Sequence, residues 1–91
     1  TEAAHKAPGG MIRARLLAKD GRIDDLMITG DFTCLPESGV ETLSQSLQGE
    51  DLKQGTLAAR IESIVKECGL EMPGVDADDI ETAILAAVHK D

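Results

Sequence analysis

Side chains capable of catalysis are few in this sequence, and they lie far apart. His5 stands near one end and His89 near the other, and neither has a surrounding motif that would make it a general base. Ser38, Ser44, Ser46 and Ser63 fall in helix-like segments without the strand–turn–helix elbow that exposes a nucleophilic serine. No Walker loop and no G-x-G-x-x-G run offers to cradle a phosphate, and Gly9-Gly10 serves equally well as a flexible start to a strand. Most carboxylates fall at helix starts or on exposed faces, where they complement the helix dipole. No catalytic residue and no metal ligand is assigned within the chain.

Cys34 invites the sharpest chemical idea. It lies between a strand end and a helix start, where the positive end of the helix lowers a thiol pKa, as a sulfur-carrying cysteine requires. Read plainly, it is a small apolar residue closing a strand. Cys68 ends a helical apolar stripe and reads as core. Two cysteines this far apart are too few for a disulfide scaffold or a zinc site, and an iron–sulfur cluster needs about three thiolates or more. A sulfur-transfer or iron–sulfur scaffold-like protein using Cys34 is the alternative functional reading, and a plain protein-interaction module is a third. Gly30-Asp31-Phe32 also has two readings. It could present a close backbone approach, a charged hydrogen bond and an aromatic anchor to another chain, or it could be a strand break, a turn cap and a core residue.

The elements that would position these residues follow from period and punctuation. Residues 1–8 read as a polar lead-in. Met11–Ala18 alternates Ile12, Ala14 and Leu16 with Arg13, Arg15 and Leu17, the period of a half-buried strand. Asp20-Gly21 marks a hairpin. Ile23–Thr29 is the second strand, with Leu26 and Ile28 on one face; Ile23 is out of phase, which predicts a bulge near Asp24-Asp25. Phe32 to Leu35 extends this strand or begins a third. Pro36 opens a helix through Val40, Leu43 and Leu47 to a stop at Gly49. A second helix starts at Thr56 as N-cap, buries Leu57, Ile61, Ile64, Val65 and Cys68, and closes at Gly69. A third is capped by Asp76, stapled by Val75 on Ile80, and ends with His89 and Lys90 at its negative pole. Strands at residues 10–35 followed by helices at 36–90 predict one α+β domain over residues 1–91: a small antiparallel sheet, an N-terminal hairpin plus a possible third strand, packed against three helices.

The chain has 91 residues, no Trp or Tyr and a single Phe, so Ile, Leu, Val, Met and Ala must build the core. A domain of this size buries only about two-thirds of its unfolded surface, and a stable partner would help it. The formal net charge is −8, which argues against nucleic acid and against an anionic membrane. The charge is uneven. Residues 1–22 carry a net of +3, from Lys6, Arg13, Arg15, Lys19 and Arg22 against Glu2 and Asp20, while residues 23–91 carry −11. A basic head on an acidic body is either a solvated face or a docking surface. No apolar run approaches membrane-spanning length, and reduced cysteines point to the cytoplasm.

Lys6-x-Pro8-Gly9-Gly10, the Asp20-Gly21 hairpin, Ile28-x-Gly30-Asp31-Phe32, Pro36 and Leu43-x-x-x-Leu47-x-Gly49 occur in this order. The series resembles the C-terminal accessory domain of lipoate–protein ligase, which in some organisms is a separate small subunit; the resemblance covers residues 6–90. It implies work shared with a larger catalytic domain that adenylates lipoate with ATP and then transfers the lipoyl group to a lysine of a lipoyl domain or glycine-cleavage H protein. The family's lipoate- and nucleotide-binding stretch, an Arg-Arg and triple-Gly motif, is missing here, so the resemblance places ATP, Mg²⁺ and lipoate in the partner. The chain alone is then inactive. Its expected partners are the catalytic subunit or domain and, indirectly, the lipoyl acceptor. Family motifs carry over onto Lys6, Gly9, Gly10, Gly30, Asp31 and Phe32; the second aromatic that often follows G-D-F is Thr33 here. Arg13 and Arg15 join them: with Lys6 they form the basic head, on or before the first strand, that could meet an acidic partner surface or the ATP phosphates, or support the nucleotide-binding loops.

Overall fold

The computed structural model describes residues 1–88. Within them the order is β1 (Glu2–Ala7), β2 (Gly10–Lys19), β3 (Arg22–Gly30), α1 (Gly39–Ser46), α2 (Thr56–Cys68) and α3 (Ala77–Val88). The strands form one antiparallel sheet in the order β1-β2-β3. Helix α3 packs on β1 and β2, α1 packs on β3, and α2 rests against α3 and α1. The architecture is the α+β sheet-and-helix layer expected from the sequence. Branched aliphatic residues fill the space between the layers, with Ile12, Leu16, Leu43, Ile61, Ile80 and Ile84 fully buried. Phe32 is not central to this core; it is partly buried against its margin.

The hairpin between β2 and β3 is closed by the Lys19–Arg22 pair. Asp20 and Gly21 both take positive φ, 54° and 74°, as the type I′ turn favoured by twisted strands requires. Leu17 pairs with Asp25 but Ala18 pairs with Ile23, so Asp24 is an extra residue in β3. This is the anticipated bulge. It resets the phase of β3 so that Ile23 and Leu26 both enter the core.

Three expectations need correction. Residues 1–8 are not a lead-in, because Glu2–Ala7 pairs along its whole length with β2, from Glu2 opposite Arg15 to Ala7 opposite Gly10. Alanine on both faces hides the period-2 pattern there, and the ten-residue β2 supplies the pairing partner. The third strand is therefore β1, not Phe32–Leu35. That segment is irregular, and Leu35 makes only an isolated bridge, exchanging two 2.9 Å backbone bonds with Glu71. Cys68 is exposed rather than core. Gly69 turns left-handed at φ 63° to end α2, and the chain delivers Leu70 to the interior instead.

Helix ends show similar adjustments. α1 begins at Gly39, beyond Pro36, whose carbonyl accepts from the Gly39 N–H at 2.9 Å. α2 does start at Thr56, but its N-cap is Gly55, which has no side chain to offer. The cap comes instead from α3, where Glu81 Oε2 accepts from the Gly55 and Ala58 N–H groups at 2.8 and 2.7 Å. This buried carboxylate faces the positive pole of α2. At the start of α3, Asp79 Oδ2 reaches back to accept from the Asp76 N–H at 2.9 Å, half of a capping box. Val75 and Ile80 are both buried in the core. The expected roles of His89 and Lys90 lie outside the described residues.

Candidate docking face

The helices cover one face of the sheet and leave the other open. Register assigns the open face unambiguously. Ala3 and Ala7 of β1, Ile12, Ala14 and Leu16 of β2, and Leu26 and Ile28 of β3 are buried toward the helices, so their strand neighbours point the other way. Cross-strand rows on the open side are Glu2–Arg15–Met27 and Ala4–Arg13–Thr29, with Lys6 opposite Met11 at one end and Leu17 opposite Asp25 at the other.

This face combines cations with bare apolar surface. Leu17 and Met27 are 57% and 56% exposed, and with Leu35 they are the large hydrophobic residues most open to solvent among the described residues. Arg15 Nε lies 3.5 Å from Glu2 Oε2, a pair too exposed to add much stability. Lys6 and Arg13 enter no ion pair among the described residues. Arginine and methionine are enriched at protein–protein interfaces, and this face sets both beside an unburied leucine. The structure therefore gathers Lys6, Arg13 and Arg15 onto one face. Leu17 and Met27 were missed in the sequence, although each was a hydrophobic residue on the polar phase of its strand.

The remaining predicted residues, Gly9, Gly10, Gly30, Asp31 and Phe32, meet at one end of the sheet. The Asp31 N–H donates to the Met11 carbonyl at 2.9 Å, and the Gly9 N–H donates to the Gly74 carbonyl at 2.8 Å. A methyl group on Gly10, at φ 138°, would run into the Asp31 carbonyl; one on Gly9 would strike the Pro73 carbonyl, and one on Gly30 the Met11 carbonyl. Backbone packs on backbone here, and the two glycine motifs, twenty residues apart, fit against each other.

Cys34 is not a poised thiol. It is buried, and that burial pushes its thiol pKa up, against a smaller opposing effect of the Val40 backbone hydrogen bond. Cys68 sits at the exposed end of α2. His5 contacts Asp79 of α3, with Nε2 donating to Oδ1 at 3.0 Å. The Asp79 carboxyl is held below its usual pKa, first by its hydrogen bond with the Asp76 backbone and then by that with His5. This pair ties β1 to α3. Among the described residues no group of three or more His, Cys, Asp or Glu side chains is arranged to hold a metal ion, and no helix is long and apolar enough to cross a membrane.

A groove between α2 and α3, with a volume of about 420 Å³, is lined by Glu62, Asp76 and Asp78 together with Lys66, Val65 and Met72. Three acids against one cation repel a polyphosphate.

Comparison with known proteins agrees over nearly the whole chain. The model of the bacterial lipoate protein ligase C-terminus matches residues 1–84. The lipoate-protein ligase A subunit 2 of Thermoplasma acidophilum is 33% identical over 82 residues, covering 87% of this chain and 81% of that protein. A solved chain from a structural analysis of an archaeal lipoylation system, comprising a bipartite lipoate protein ligase and its E2 lipoyl domain from Thermoplasma acidophilum, superposes with a TM-score of 0.80. It is 30% identical, and the match covers 91% of each chain. With the sheet open on one basic-apolar face and the glycine motifs packed at its end, the sequence and structural likeness give the assignment: the chain belongs to the lipoate protein ligase C-terminus family.

Proposed function

We propose that this chain is the non-catalytic accessory part of a lipoate–protein ligase, working in the cytoplasm by docking its open sheet face on a catalytic subunit or domain. That partner holds ATP, Mg²⁺ and lipoate. There a lipoate carboxylate oxygen attacks the α-phosphorus of ATP, the bond to the β-phosphate oxygen breaks, and pyrophosphate leaves with lipoyl-AMP formed. A lysine amine of the lipoyl acceptor then attacks the activated carbonyl, releasing AMP and a proton as the amide forms. The accessory chain supports the first of these steps by holding the partner's nucleotide-binding loops in place.

The observation that carries the reading is the uncovered face bearing Arg13, Arg15, Leu17 and Met27 in a chain whose relative is one subunit of a ligase. The acid-lined groove elsewhere on the molecule supports locating the polyphosphate in the partner. The test is lipoate-dependent exchange of pyrophosphate into ATP, measured on the catalytic subunit with and without this chain. Exchange should require the native chain and fall at least tenfold with Arg13→Glu/Arg15→Glu, in step with weaker binding to the subunit. Exchange that is equally fast without the chain, or lipoyl-AMP made by the chain alone, would overturn the proposal.

A further inference from the structure

The two edges of the sheet are treated differently. Antiparallel strands exchange bonds through alternate residues. Along β3, the count from the Asp31 N–H on the Met11 carbonyl leaves Leu26 and Ile28 with outward backbone groups. Both donors are taken: Leu26 donates to Asp25 Oδ1 at 3.0 Å and Ile28 to Ser44 Oγ at 3.1 Å. Past the bulge, Ile23 exchanges backbone bonds with Gly49 and Glu50 at 2.7 and 2.9 Å. That edge is closed.

The β1 edge is open. Thr1 and Leu16 exchange both of their backbone bonds, at 2.9 and 2.7 Å. Ala3, His5 and Ala7 therefore bond inward to β2, and Glu2, Ala4 and Lys6 turn their N–H and C=O groups outward. Among the described residues these outward donors have no acceptor within the chain. An edge of this kind is a template for another strand unless it is guarded, commonly by a lysine.

We propose that β1 pairs edge to edge with β1 of a second copy of this chain, antiparallel and with the dyad at Ala4, to make a continuous six-stranded sheet. The charges select this register. Pairing about Ala4 sets Glu2 of each copy opposite Lys6 of the other, and the two Ala4 side chains meet without bulk. Sliding by two residues either way sets Glu2 or Lys6 against Ala4 and loses both ion pairs. Lys6 thus rejects a strand with a cation in that place and admits one with Glu2. The helical layer allows the approach, because the flank of α3 that touches β1 through Asp79 continues as Thr82 and Ala86, both small. The contact is made by the backbone edge and leaves Arg13 and Arg15 uncovered.

The experiment is analytical ultracentrifugation of the full chain over a concentration series, with no ligase present, so that its outcome is independent of the docking reading above. The native chain should shift with concentration from one copy to two. Glu2→Lys and Lys6→Glu, each opposing like charges, should each weaken self-association at least tenfold, and the double exchange should restore it to within threefold of native. In parallel, hydrogen exchange at the Ala4 and Lys6 amides should slow as concentration rises while amides of β3 do not change. A native chain that stays single at all concentrations, a double variant no better than the singles, or concentration-independent exchange at Ala4 and Lys6 would each overturn the pairing.

Discussion

Glu81 shows how one side chain can settle a problem created by two elements. Gly55 precedes α2 with φ 87° and no side-chain oxygen, so the first N–H groups of that helix need an acceptor from outside it. Glu81, buried on α3, takes two of them. Glu81→Ala should leave the buried Ala58 N–H without its acceptor and the Gly55 N–H to water, costing about 2 kcal/mol and lowering the melting temperature by on the order of 10 °C. Glu81→Gln, which keeps an acceptor, should lose clearly less; calorimetry on the two variants checks the ordering. The thiols offer a second residue-scale test. Cys34 is buried with its pKa raised, whereas Cys68 is exposed. Iodoacetamide at neutral pH should label Cys68 readily and Cys34 only under conditions that open the fold, which peptide mapping would reveal. Equal labelling would reinstate a reactive Cys34. Asp79 contributes a stabilisation that depends on acid. Its folded pKa lies below the ordinary aspartate value near 3.9, so the unfolded chain takes up the proton first as pH falls. The stabilisation is complete above about pH 4 to 5 and is lost as pH falls toward the folded pKa. Asp79→Asn should flatten that part of the acid unfolding curve.

At the scale of elements, β1 is the informative case. The sequence showed β2, β3 and all three helices through strong local signals: alternation, an Asp-Gly turn, apolar stripes and glycine stops. It did not show Glu2–Ala7, because alanine at positions 3, 4 and 7 looks the same on either face, and a strand of this kind is defined by what pairs with it. The cap of α2 was illegible for the same reason, since Glu81 lies twenty-six residues from Gly55 and only tertiary contact joins them. The bulge at Asp24 was legible because Ile23 is an apolar residue in the wrong phase. The site was half legible. Cations of the basic head could be read from composition, but that Lys6 shares a face with Arg13 and Arg15 depends on the unseen β1. The glycine motifs drew attention as candidate contacts, and within the chain they pack the β1–β2 turn against the end of β3. Gly10→Ala should therefore force the Asp31 segment away from β2 and cost about 2 to 4 kcal/mol. The same substitution at Gly21, where a side chain meets open space, should cost about 1 kcal/mol for the positive φ alone. Denaturant titration of the two variants separates crowding from backbone conformation.

For the whole molecule, the sign of charge follows the layers. Residues 39–88 of the helical side carry Lys53, Arg60 and Lys66 against ten acids, whereas the open sheet face carries Lys6, Arg13 and Arg15 against Glu2 and Asp25. Such a molecule is oriented by the field of an acidic partner before contact, with its helices repelled and its sheet drawn in. Exposed charges of this kind act over roughly a Debye length, about 8 Å at physiological salt. They should govern the approach to the catalytic partner, while Leu17 and Met27, once dehydrated, should govern how long the complex lasts. The two contributions are separable by stopped-flow and surface-capture kinetics on that pair. Arg13→Gln/Arg15→Gln should slow association several-fold at low ionic strength and approach the native rate as salt rises, with little change in dissociation. Met27→Ala should leave association nearly native at every salt concentration and speed dissociation on the order of tenfold, the equivalent of about 1.4 kcal/mol. If the arginine variant instead changed only dissociation, its side chains would be buried in the complex as paired charges, and the face would be held by ion pairs rather than by the apolar strip between β2 and β3.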